Sequence, residues 1–364
     1  MSAPAKLPRW AEFGLLPAVN LVVALLLSGA VIRLMGESPG AAFRLMLSGS
    51  LGSQESLGYT LYYATNFMFT GLAVAVAYHA GLFNIGAEGQ AYIGGLGTGL
   101  VCLAFGAWPF WAVLPVAVLA GAGFGAAWAF IPAWLQARRG SHIVITTIMF
   151  NFIAAALMTH LLVNVLIKPG QQSPETREFG AGAAMPAMHE LLAKIGITFA
   201  ATPWNLAFLL ALAAAAAVWF LLWRTRWGYA LRVAGENPAA AVYAGISPAR
   251  VILGAMLLSG ALAGGLGLNE LMGAQHRLLL DFPAGAGFVG IAVALMGRNH
   301  PAGIFVAAVL FGALYQGGSQ LSFDLPKINR DMVVVIQGLV ILLCGAMENL
   351  FRAPLAALFR RRGR

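Results

Sequence analysis

The chain has 364 residues, of which 60% are hydrophobic, only 10% are charged and 44 are glycine, and this balance excludes a soluble globular protein. Its length would suit two soluble domains, but no polar stretch is long enough to fold separately, so residues 1–364 read as a single membrane domain. The net charge of +9 does not point to nucleic acid, because the basic residues cluster beside apolar spans.

Residues 1–13 are polar, with Lys6 and Arg9 ahead of an apolar run over 14–35. That run is longer than a signal-peptide core and has no clear cleavage site, so it reads as an uncleaved first helix. A polar, glycine-containing connection is expected over 36–56, then an apolar run over 57–78, the stretch AGLFNIGAEGQ over 80–90, and a third run to Phe105. Further runs cover 109–136, ending at Arg138 and Arg139, and 143–167. Residues 168–203 form the longest polar segment, with Pro169, Pro174, Pro186 and Pro203 and a short helix expected around 188–195; loops of this length are usually functional. Apolar runs then cover 204–223, 251–272, 284–296, 301–317 and 332–347, and a basic segment occupies 224–250.

These runs predict an all-α, polytopic membrane protein with about ten spans and both termini on one side. Alternating the loops places 14 of the 22 basic residues on the terminal side with only four of the 13 acidic ones, which marks that side as cytoplasmic. The shorter runs over 284–296 and 301–317, with Glu270 and Asp281 nearby, could instead be re-entrant or broken helices. Gly121 with Gly125 and Gly260 with Gly264 have the GxxxG spacing that lets backbones approach in lipid, though glycine is also simply common in membrane helices.

AGLFNIGAEGQ sets Asn84, Glu88 and Gln90 among glycines and admits two readings. Asn84 caps the third helix and Glu88 sits near its positive N-terminal end, or the three side chains tie helices together or line a path. In the 224–250 segment, Asn237 followed by Pro238 reads as a helix start and Gly245 as its end, giving a short helix over 239–244. Such a helix suits docking into a groove on a soluble partner, or it is an ordinary surface loop. The lysines are Lys6, Lys168, Lys194 and Lys327, and none precedes Ser or Thr, so no GxxxxGK[ST] nucleotide loop exists. Cys102 and Cys344 lack metal or disulfide spacing, the six histidines form no HExxH, and no nucleophile elbow is present; an enzyme and a metal site are not expected.

GLFNIGAEGQ and GENPAAAVYAGIS together resemble the permease subunits of ABC importers in the ribose, branched-chain amino acid and nucleoside group, most of all the larger permease of nucleoside (simple-sugar) systems. The resemblance covers about 57–346. It implies that Gly235, Glu236, Asn237, Pro238, Ala240, Ala241, Tyr243, Ala244, Gly245 and Ile246 form a coupling helix seated in the ATPase. It also implies a second, non-identical permease, a cytoplasmic ABC ATPase that holds ATP and Mg, an extracytoplasmic binding lipoprotein meeting the 168–203 loop, and a place in the bacterial inner membrane. A nucleoside path needs aromatic faces and amides rather than charges, so Asn66, Phe67, Asn84, Gln90, Asn151, Asn269 and Gln316 are its candidates. A sugar is the alternative substrate, and an ion-coupled transporter acting alone is the alternative class.

Overall fold

The computed structural model describes residues 15–324 and 333–339, and among these there are helices and two isolated β-bridges but no strands. Most of the 332–347 run and the basic tail lie outside the described residues. The helices are α1 (Leu16–Leu34), α2 (Pro39–Leu51), α3 (Gln54–His79), α4 (Ala87–Phe105), α5 (Phe110–Arg139), α6 (Ile143–Asn164), α7 (Met188–Ala193), α8 (Ala207–Arg224), α9 (Arg226–Glu236), α10 (Pro238–Tyr243), α11 (Pro248–Gly264), α12 (Ala286–Met296) and α13 (Pro301–Asp324), with a π-helical stretch, Leu268–Gln275, after α11. Six helices among the described residues are long and apolar enough to cross a membrane, and a seventh crossing is added if the bent α1–α2 pair is one span. The chain is therefore an all-helical polytopic membrane protein.

The chain forms two compact units, one of residues 1–56 with 313–364 and one of 57–312. In the first, α2 occupies what the sequence suggested was a connection. Ser38 and Pro39 start it, with the Ser38 hydroxyl accepting from the Ala41 N–H, and Ala42, Met46, Gly49 and Ser50 give it one buried face. Its interspersed serines and Arg44 disguise that face in a linear reading. Ile32, Ala42, Met46, Leu321, Val333 and Ile336 form the core of this unit.

In the second unit α3 is the axis: every residue from 64 to 77 is buried, so this helix is surrounded on all sides. Helices α4, α5 and α11 approach nearby at facing glycines. A Cβ on Gly94 would fall on the Gly264 Cα and 3.0 Å from the Gly121 carbonyl oxygen, while one on Gly125 would fall on the Gly260 carbonyl. The two GxxxG pairs thus face each other, Gly121 opposite Gly264 and Gly125 opposite Gly260. Outward faces are apolar, with Leu119 on α5 73% exposed and Phe152 on α6 67% exposed, as a helix facing lipid requires.

The segment between the π-helical stretch and α13 is only partly helical. From His276 to Gly285 the chain is non-helical and descends along α4, with Leu278 over Gly99 and Phe282 over Gly95 and against the Tyr92 ring. Helix α12 starts only beside Thr70, whose hydroxyl donates to the Ala286 carbonyl at 3.0 Å. At 11 residues it is about 16 Å long, half a bilayer core.

Candidate functional site

The AGLFNIGAEGQ segment leaves α3 at Gly81 (φ +72°), re-enters the helix assembly without regular structure, and becomes helical again at Ala87. Its backbone groups are satisfied from the side. The Asn151 amide on α6 donates to the Ile85 carbonyl at 2.9 Å and its oxygen accepts from the Gly89 N–H at 2.9 Å, clamping both sides of the helix start. Asn84, fully buried, donates to Gln90 Oε1 and Ser259 Oγ, both at 2.8 Å, and Ser259 in turn donates to the Ala73 carbonyl of α3. Asn84 is not the cap of α4: the cap position belongs to Gly86, and Asn84 Oδ1 accepts from the Gly86 N–H, forming a turn just before the helix.

Glu88 does cap a helix, but not its own. Its two carboxyl oxygens accept the N–H groups of Gly285, at 2.8 Å, and Gly287, at 2.7 Å, which open α12. The half-helix thus begins inside the protein on a carboxyl group supplied by α4, 197 residues away in the chain at Gly285. A helix N-terminus exposes orphan donors and a partial positive charge, and an acidic side chain answers both. Glycine at 287 is required by this approach, since a Cβ there would strike Glu88 backbone and side chain.

A second buried polar cluster joins α3, the π-helical stretch and the start of α8. Asn66 donates to Glu270 Oε1, and Asn269 donates to Asn66 Oδ1 at 2.8 Å and to the Tyr62 carbonyl at 3.1 Å. Asn205 donates to Asn269 Oδ1 at 2.9 Å, and its own oxygen accepts from the Ala207 N–H, forming a turn just before α8. Phe67, beside Asn66, is buried. Asn66, Asn84, Gln90, Asn151 and Asn269 are therefore all engaged in bonds between segments, while Gln316 lies in the first unit, lining a cavity of about 320 Å³ with Ser48, Glu55, Gln320 and Asp324. Ser259, Glu270 and Asn205 were not among the sequence candidates; the Asn269–Glu270 pair inside an apolar run was the signal available for the second cluster.

The 224–250 segment forms two helices, α9 and α10. Asn237 Oδ1 accepts from the Ala240 N–H at 3.0 Å, Pro238 occupies the first turn, and Gly245 (φ +75°) closes the helix, one residue earlier than the expected 239–244. Ala241 is buried, whereas Tyr243 is 95% exposed and Val242 60% exposed. Just before α10, Gly235 lies on the end of α3: a Cβ there would strike the His79 carbonyl and the Gly81 nitrogen.

Broken helices entering a packed assembly, buried polar links between them and a short capped helix projecting at one end define a membrane permease. The chain belongs to the family described as the permease component of branched-chain amino acid transport systems, which it matches over residues 56–345. The family is a transport subunit rather than an enzyme. The chain is 34% identical over 358 residues to the glucose ABC transporter permease protein TsgB13 of Haloferax volcanii, covering 98% of this chain and 93% of that one. It is 33% identical over 325 residues (88% and 91%) to the guanosine ABC transporter permease protein NupP of Bacillus subtilis. It is 32% identical over 331 residues (90% and 89%) to the nucleoside ABC transporter permease protein NupB of Lactococcus lactis. In both of these bacteria a second permease, named for the same kind of substrate, also matches, over 257 residues. No solved structure matches this chain.

Proposed function

We propose that this chain is the larger permease of an ATP-driven importer of nucleosides. The observation that carries the reading is α10: a six-residue helix, capped at both ends, presenting Tyr243 almost fully to solvent. An aromatic ring held out by a rigid short helix is suited to a groove on a soluble partner. That partner is a cytoplasmic ATPase supplying the ATP and Mg chemistry. Gly235, Glu236, Asn237, Pro238, Ala240, Ala241, Tyr243, Ala244, Gly245 and Ile246 form the coupling element, and the contact between Gly235 and the end of α3 carries its movement into the spans. Ten crossings with both termini in the cytoplasm of a bacterial inner membrane are the reading that the charge distribution supports, beside the six or seven helices among the described residues that are long and apolar enough to cross. A second permease completes the path, and a binding lipoprotein delivers substrate at the 168–203 loop. Asn66, Phe67, Asn84, Glu88, Gln90, Asn151, Asn269 and Gln316 act mainly by holding the helices that line the path.

Substrate class is supported by the two relatives named for guanosine and nucleosides. A sugar is the second reading, favoured by the relative named for glucose, which matches nearly the whole chain. Uptake of labelled guanosine into vesicles carrying the complete transporter, competed by adenosine, ribose and glucose, separates them: nucleosides compete and sugars do not, and the reverse result moves the assignment to sugars. Uptake abolished by an ionophore but indifferent to ATP would instead reveal an ion-coupled transporter.

The coupling assignment has its own outcome. Tyr243→Ala removes an exposed anchor, which at an interface centre is worth about 2 kcal/mol or more, so ATP-driven uptake falls by about tenfold or more while the protein still inserts in the membrane. Uptake at the wild-type level in both Tyr243→Ala and Glu236→Arg would show that α10 is not the docking element.

A further inference from the structure

Helix α3 ends at His79, beside α9, and this residue touches three further elements of the second unit. Its Nε2–H donates at 3.0 Å to the carbonyl of Asn299, in the turn between α12 and α13. Its ring lies edge-on to Trp223 in the last turn of α8, with centroids 5.3 Å apart, and Trp223 in turn packs on the ring of His300 at 5.0 Å. From α9, Gly235 sits against the His79 carbonyl, where a Cβ would strike, and Arg232 and Glu236 lie within electrostatic reach of the imidazole. One residue thus ties together α3, α8, the helix that leads into α10 and the far end of α12.

The turn that His79 holds is strained. Arg298 and Asn299 are both left-handed, each with φ +54°, and two adjacent non-glycine residues stay in that region only where their surroundings impose it. The turn is also locked to the start of α13, since a Cβ on Gly297 would strike the backbone of Gly303 and Ile304. Two polar atoms here are buried without partners in the protein: the Asn299 side-chain oxygen and the Nε of Arg232 on α9. Unpaired buried groups are rare enough to need a cause, and a contact that is remade between two states supplies one.

Helix α12 is fastened at both ends. Its start rests on the Glu88 carboxyl group of α4, and its end runs into the turn gripped by His79. Between these points it bears on α3 at close range, with Gly290 against Thr70 and Val293 against Gly71. With only 11 residues between the two fastenings, a displacement at the turn acts on the whole helix. Chains of packed rings, hydrogen bonds and rigid elements are what carry coupling between distant parts of a protein. We infer that His79 is a positioning residue of the transport cycle, passing the displacement of the coupling segment to the 297–300 turn and so to α12. The inference rests on the coupling role of α10 given above and extends it: Gly235 brings the movement to the end of α3, and His79 hands it on to α12.

The test is hydrogen exchange read by mass spectrometry on the complete transporter in lipid nanodiscs, first without nucleotide and then trapped with ATP and vanadate. Trapping the wild type is expected to change exchange at 226–246 and at 285–300 together. His79→Phe keeps a ring against Trp223 and loses the donor to Asn299. In it the change at 226–246 persists, while that at 285–300 falls by about threefold or more, which is what one hydrogen bond is worth as an equilibrium ratio. His79→Gln, whose amide can place a donor where Nε2 stands, restores the response at 285–300. A loss of stability alone would raise exchange in both states and leave the difference between them intact. An undiminished response at 285–300 in His79→Phe, or a wild type in which only 226–246 responds, overturns the relay and leaves the coupling helix in place. The wild-type comparison decides by itself if His79→Phe fails to assemble. A wild type in which 226–246 does not respond overturns the coupling reading.

Discussion

Gly264→Leu yields little folded permease, and what is recovered melts well below the wild type. Helices α4, α5 and α11 meet here at Gly94, Gly121 and Gly264. Any side chain at 264 would run into the Gly121 carbonyl and come within 3.4 Å of the Gly94 Cα, all of it backbone that cannot rotate away. Forcing extra methylenes into a filled core usually destabilises by about 1–3 kcal/mol, and rigid neighbours on two helices put this site at or above the top of that range. Gly260→Leu behaves alike, because it meets the Gly125 carbonyl and Ala129. Gly123→Leu is the control: it shares α5 with Gly121 and Gly125, yet a Cβ there meets nothing within 4 Å. Fluorescence-detected size exclusion with a thermal ramp in detergent measures all three. A Gly264→Leu protein as monodisperse and heat-stable as Gly123→Leu would show that the three helices do not depend on this contact.

Glu88→Ala loses transport through α12 rather than through any chemistry at the carboxyl group. The substitution leaves the part-buried Gly285 and Gly287 N–H groups without their acceptors. Orphaning a donor shielded from water costs about 1–3 kcal/mol and two are orphaned here, so a loss of several kcal/mol is expected at the head of a half-helix. Helix α12 then starts late or samples several positions. Its other end bears on α3, where a Cβ on Gly71 would come within 3.0 Å of Val293, so the disturbance reaches the axis of the unit. Adenosine or guanosine uptake falls by more than about tenfold, and hydrogen exchange rises selectively at 285–290. Glu88→Gln retains one acceptor oxygen and falls between the two. Unchanged exchange at the start of α12 in the alanine variant would remove the capping role.

The helix boundaries of this protein were legible because their causes are local. Asn237 followed by Pro238, then Gly245, start and stop α10 within one residue of expectation, since a side-chain cap, a missing N–H and a left-handed φ all act within a turn. The membrane character followed from composition in the same way. Helix α2 was missed where serines and an arginine broke up an apolar face that only the packed unit reveals.

The partner of each buried polar group was not legible, and there the tertiary structure decided. Asn84 read either as a helix cap or as a tie between helices, and it bonds Ser259 on α11; Glu88 read either as a complement to its own helix or as such a tie, and it bonds the N–H groups that open α12. Glu270 is buried with Asn66, 204 residues before it. Two GxxxG pairs were visible as spacing, but that Gly121 meets Gly264 and Gly125 meets Gly260 depends on how α5 and α11 cross. A buried donor or acceptor must be satisfied somewhere, which sequence makes certain; the satisfying group is chosen by which backbones can approach, and in this chain the glycines of three helices set that choice.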